Sequence, residues 1–199
     1  MDNGAMSRSA RAWLPILIGA LTFLVVLVGL GTVAADAVAR NIEMRNLVTR
    51  IEASEAVMGD LQQGVQDIAA TYQGQLPLDD QQQAALDDAL TSLAADSEAR
   101  LAQAADGVAG VEWLVWHQDI GAAQEAYLAH NRAWQEYLAR AAKDPAEFGR
   151  EQPLVDSTFA DAEPRIRAAV PVVPLFDITA RVDAIFAPPA LPAGSGQQA

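Results

Sequence analysis

Both histidines of this chain, three of its four tryptophans and two of its three tyrosines fall in VEWLVWHQDIGAAQEAYLAHNRAWQEYL, Val111 to Leu138. Such residues could ligate a metal, move a proton or line a pocket, and their spacing decides among these uses. His117 and His130 lie about 140° apart around a helix at roughly 100° per residue, so one ion cannot take both from a single face. Neither has Asp or Glu three or four positions away, and neither Glu-x-x-His nor His-Glu-x-x-His occurs. The spacing that di-iron bundles and helical zinc proteases need is missing.

Covalent chemistry fares no better. There is no cysteine, no Gly-x-Ser-x-Gly turn and no Ser-x-x-Lys, and the only lysine, Lys143, sits in a polar connection. Asp79-Asp80 and Asp87-Asp88 are adjacent in sequence and point to different sides of a helix, which suits capping and solvation rather than paired acid/base work. The glycines form no phosphate-cradling cluster after a strand. The expectation is a non-enzymatic protein with no cofactor and no metal.

What the aromatic stretch does offer is an apolar seam. Trp113, Trp116, Ile120, Ala123, Tyr127, His130, Trp134, Tyr137 and Ala141 recur in alternating steps of three and four, the signature of one helix face. The seam reads first as packing, because each aromatic supplies a large apolar area to a bundle otherwise rich in Ala and Leu. Its second reading is a pocket for a small apolar or cationic ligand, with Trp113, Trp116, Tyr127, His130, Trp134 and Tyr137 as lining.

The seam must be carried by a scaffold, and the scaffold begins with a membrane segment. Ala12 to Ala35 carries no charge, and its roughly 24 residues reach about 36 Å as a helix, enough for a hydrocarbon core about 30 Å thick. Trp13 would anchor one interface. Arg8 and Arg11 precede the segment, and the positive-inside rule then puts the N-terminus in the cytoplasm. Val33-Ala34-Ala35 and Ala35-Asp36-Ala37 resemble cleavage sites, but the apolar run is longer than the roughly 7–15 residues usual for a signal peptide. An uncleaved anchor is expected.

Two of the 13 basic residues and one of the 26 acidic ones precede Asp36, leaving 11 basic against 25 acidic beyond it. So acidic a domain is not a nucleic-acid binder, since phosphates call for a basic face. Along it, Met44, Leu47, Ile51, Met58, Leu61, Val65, Ile68 and Tyr72 hold a heptad register broken only at Ser54, which predicts a long helix whose seam suits a bundle or coiled coil. Gly74 and Pro77 end that helix. Asp79 with Gln82 forms a capping box for a second helix, along which Leu86, Leu90, Leu93 and Leu101 share a face and Gly107 closes it. The third helix is the aromatic stretch.

A fourth, with Val155, Phe159, Ala162, Ile166 and Ala169, is broken by prolines, and Pro164 is tolerable there if the helix starts near Asp161. A short helix from about Asp177 to Phe186 follows. Pro188 to Ala199 reads as a disordered tail.

The fold class is thus all-α: residues 1–11 cytoplasmic, 12–35 transmembrane, 36–187 an extracytoplasmic bundle of about four helices, 188–199 a tail. A membrane-anchored bundle resembles the sensory modules of bacterial chemoreceptors, but residues 1–11 are too few for an output domain, so a complete transducer is not expected. The expected partners are the bilayer, through the anchor, and a membrane or envelope protein or a second copy. The alternative is a ligand-binding bundle.

Overall fold

The computed structural model describes residues 6–75 and 77–187, with side chains from residue 18 onward. Among the described residues there are five α-helices and no strand: α1 Met6–Tyr72, α2 Asp80–Ala109, α3 Gln118–Ala141, α4 Pro153–Ala169 and α5 Ile178–Ile185, with a 3-10 turn at Pro145–Gly149. The side chains of Arg8, Arg11 and Trp13, and the tail expected at 188–199, lie outside them. The chain divides into two compact units, Met1–Arg40 and Asn41–Ala199.

In the first unit the apolar side chains from Ile18 to Val38 are exposed, and no part of the most apolar window is buried by protein. Thr22 and Thr32 turn their hydroxyls back to donate to Ile18 O and Gly29 O, both at 2.8 Å, so neither asks for an outside partner. Among the described residues α1 is the one helix long and apolar enough to cross a membrane.

In the second unit α1 supplies the seam read from sequence. Met44, Leu47, Ile51, Met58 and Leu61 are buried, joined by Val48 and Val57. The interruption at Ser54 is a polar layer, where the buried Ser54 hydroxyl accepts from Asn131 Nδ2 at 3.2 Å. α1 stops at Tyr72, and Gly74 takes the left-handed φ of +86° that any side chain would disfavour.

Asp79 and Gln82 form the reciprocal cap of α2, with N–H to side-chain oxygen distances of 2.8 and 3.0 Å. α2 runs two residues past Gly107 to Ala109, and the Gly110 N–H closes on Asp106 O at 2.9 Å. Its buried face is Ala94, Ser97, Leu101 and Val108, and small residues there let the helices approach closely. Asp60 and Arg100 tie α1 to α2 at 2.5 Å. Glu52 takes Arg181 of α5 bidentately, at 2.7 and 2.5 Å.

Two elements depart from the sequence reading. α3 begins at Gln118, so Trp113 and Trp116 precede it in a non-helical segment; there the Leu114 N–H is donated to the Glu43 carboxylate at 3.0 Å rather than to a helical carbonyl. α4 is unbroken and starts at Pro153, not near Asp161, with Pro164 inside it. Pro164 and Ala160, whose carbonyl loses its helical donor to the proline, are both exposed, so water can take the donor's place.

Candidate functional site

The structure divides the six residues singled out in the sequence, four on α3 and two in the segment before it. Tyr127, His130 and Tyr137 are buried, Trp134 is half-buried, and Trp113 and Trp116 are exposed. The Trp113 indole lies against Gly121, where a Cβ would overlap it, and its Nε1 donates to Gln124 Oε1 at 3.0 Å. Gln124 in turn donates to Val108 O at 2.7 Å and Val111 O at 3.0 Å, holding the α2–α3 connection.

His130 has both ring nitrogens engaged. Trp134 Nε1 donates to its Nε2 at 3.1 Å, so the ring hydrogen sits on Nδ1, which faces Thr158 Oγ1 at 3.2 Å. Thr158 spends its own hydrogen on backbone carbonyls of the preceding turn and is left to accept. Rings of Tyr127, Trp134 and Phe159 surround the imidazole at 5.0 to 6.4 Å. Burial away from water lowers its pKa from 6.5 to about 4, against weaker upward pulls from the Val155 backbone and Asp156. A neutral, tautomer-locked imidazole packs well.

Next to it lies a carboxyl that the seam analysis missed. Glu55 accepts from the Tyr127 hydroxyl at 2.8 Å, and burial raises its pKa although that hydrogen bond opposes the rise. Desolvation, then the nearby Glu55 charge, lifts the Tyr127 phenol well above its usual value. A cavity of about 170 Å³ is lined by Glu55, Asp156, His130, Trp134 and Phe159. It shares Gln62 and Trp134 with an apolar groove of about 260 Å³ lined by Leu61, Val65, Tyr137 and Phe148. Here the α1 seam changes character, since Val65, Ile68 and Tyr72 are only half-buried.

The second histidine belongs to a different corner. His117 precedes α3, is buried, and places Nδ1 2.5 Å from Glu43 Oε2, while Glu43 Oε1 takes the Leu114 N–H. Sequence spacing gave no sign of this pair, whose members are 74 positions apart. The signal that existed was a glutamate at position 43 beside Met44, inside the turn that the seam buries. A larger cavity of about 760 Å³ flanks this corner, lined by Ile42, Glu43, Arg50, Glu112 and Trp113 among others. Among the described residues no three of His, Cys, Asp and Glu converge as a metal cage.

Polar contacts and an open apolar groove thus lie on a chain that is all-helical among its described residues and carries a candidate membrane span. The chain matches no protein-family model, and no curated protein or solved structure is significantly similar to it.

Proposed function

We propose that this is a non-enzymatic, single-pass envelope protein, N-terminus cytoplasmic, whose acidic extracytoplasmic bundle docks a membrane or envelope protein or a second copy of itself. The observation that carries the reading is the groove where the α1 seam outruns the core. Leu61 is buried, whereas Val65 lies half-open beside Trp134, Tyr137 and Phe148, and Ile68 and Tyr72 continue the same register half-buried further along α1. An apolar groove edged by aromatics and rimmed by Gln62 and Gln66 suits the apolar stripe of a partner helix. The orientation rests on Arg8 and Arg11 ahead of the anchor.

Photo-crosslinking residues placed at Val65 and Ile68 in cells should give discrete protein adducts. If both positions stay uncrosslinked while a probe at buried Leu101 reports a folded bundle, the docking role is refuted.

The adjoining cavity favours a second reading. Glu55 and Asp156 beside Trp134 and Phe159 present carboxylates and ring faces together, the chemistry that holds an organic cation. A ligand of that kind would change tryptophan emission of the monomer, and a protein partner alone would give adducts without it.

A further inference from the structure

Two loops at one end of the second unit carry apolar side chains into solvent. In the first, between α2 and α3, Val115 is 74% and Trp116 63% exposed; in the second, between α4 and α5, Val172 is fully exposed and Val173, Leu175 and Phe176 are exposed as well. No Asp, Glu, Lys or Arg occurs from Trp113 to Gln118 or from Val170 to Phe176, in a chain of net charge −13.

Both loops are fastened to the same turn of α1. Glu43 holds Leu114 N–H at 3.0 Å and His117 at 2.5 Å. Asn41 donates to Val173 O at 3.2 Å and accepts from the Leu175 N–H at 2.6 Å, and the Arg45 guanidinium lies 4.9 Å from the centre of the Phe176 ring. At about 100° per residue Asn41 and Arg45 share one side of α1 and Glu43 lies on the other, so the loops flank the helix on opposite sides. Phe176 and Asp177 adopt left-handed φ values of 61° and 53°, a conformation non-glycine residues avoid, and it presents Phe176 outward.

From this rim we infer a lipid-docking surface: Val115, Trp116, Val172, Val173, Leu175 and Phe176 enter the interface of the bilayer that the chain's own apolar segment crosses. The inference rests on the anchor reading. The tether argues for lipid as the occupant, because Asn41 follows Ala35, the last residue of the uncharged run, by six positions, and six residues span at most about 20 Å however they are arranged. The turn that carries both loops therefore never leaves the neighbourhood of the membrane surface. Exposed aliphatics around a tryptophan, on two stretches that themselves carry no Asp, Glu, Lys or Arg, match the chemistry of the headgroup boundary, and the Arg45 guanidinium beside Phe176 suits lipid phosphate.

The chain has no cysteine, so single labels report cleanly. Full-length Val26→Cys, Val172→Cys and Gln83→Cys, each bearing an environment-sensitive fluorophore, are reconstituted in phosphatidylcholine vesicles with and without lipids spin-labelled near the headgroup or deep in the chain. Val26 should lose emission to the deep quencher and Val172 to the shallow one, with Val172 emission shifted to the blue; Gln83, at the opposite end of the bundle, should show neither change. Loss at Val26 without loss at Val172 overturns the rim and leaves the anchor standing. No loss at Val26 overturns the anchor and the rim with it. A Val172 label shielded from aqueous iodide yet untouched by either lipid quencher puts another protein chain on the rim, which also overturns the lipid assignment.

Discussion

His130→Leu tests whether the buried imidazole acts only as packing. The folded pKa of about 4 against 6.5 unfolded means that the unfolded chain binds the extra proton across that window. Stability carried by the neutral ring is therefore complete above pH 6.5 and is lost as pH falls toward 4. The gap of about 2.5 units corresponds to about 3 kcal/mol, lost at a limiting slope of about 1.4 kcal/mol per pH unit. Glu55, with its raised pKa, works in the opposite sense, because burial of its neutral form contributes stability at low pH that is lost as pH rises through its folded value. Because Glu55 shares a cavity with His130, the comparison is made in a Glu55→Gln background as well, which separates the two contributions.

Urea unfolding of the full chain in nanodiscs, followed by circular dichroism from pH 7.5 to 4.5, should show the variant with a shallower acid slope. At neutral pH it should lose about 1–3 kcal/mol, since Trp134 Nε1 then lacks its acceptor. An NMR titration placing His130 at or above 6.5, or an unchanged acid slope in the variant, would refute the desolvated-core account. A metal ion that stabilises wild type but not His130→Leu would refute it as well.

Four further substitutions probe the packing. Leu61→Asp puts a carboxylate into a buried position of the α1 seam, at the floor of the groove, and should cost about 3–5 kcal/mol or abolish the cooperative transition; normal thermal unfolding would place the seam in water. Ser54→Ala alone strands the Asn131 amide and should cost about 1–3 kcal/mol, and adding Asn131→Leu should recover most of it; additive losses in that cycle would deny the pair. Gly121→Ala should expel the Trp113 indole, seen as a lost near-ultraviolet tryptophan band and about 1–3 kcal/mol of destabilisation, and an unaltered spectrum would contradict the close approach.

How far residue patterns lead depends on whether a segment's partners are local. The α1 seam from Met44 to Leu61 is legible because an amphipathic stripe is a property of one helix, and the Asp79–Gln82 cap because its two bonds span three residues. Ser54 stood in the sequence only as a break in the pattern; the polar layer it forms there depends on Asn131, 77 positions away. The start of α3 was illegible for the complementary reason. Trp113 and Trp116 continue the three-four spacing, yet the backbone there gives its Leu114 N–H to Glu43, 71 positions away. Periodicity registers where side chains repeat and is blind to a distant carboxylate competing for a backbone donor. Pro164 misled in the other direction, because its exposed face makes the missing bond cheap enough for α4 to run through it.

The long reach of the bonds made by α1 has a consequence for biogenesis. Between Asn41 and Glu55 it is joined to Leu114, His117, Tyr127, Asn131, Val173, Leu175 and Arg181, across 71 to 134 positions of chain. During synthesis, the segment that buries Met44 through Leu61 emerges long before any of those partners. Its apolar stripe meets α2 first and waits for α3, α4 and α5 to complete the core, and non-local closure of this kind slows folding. A chain that stops before Ile178, or is clipped between α4 and α5, lacks the buried Ile178 and Val182 side chains and the Arg181–Glu52 pair that close the bundle on α1. Quality control of this protein would therefore act on its last helices, the pieces with the fewest residues and the latest arrival.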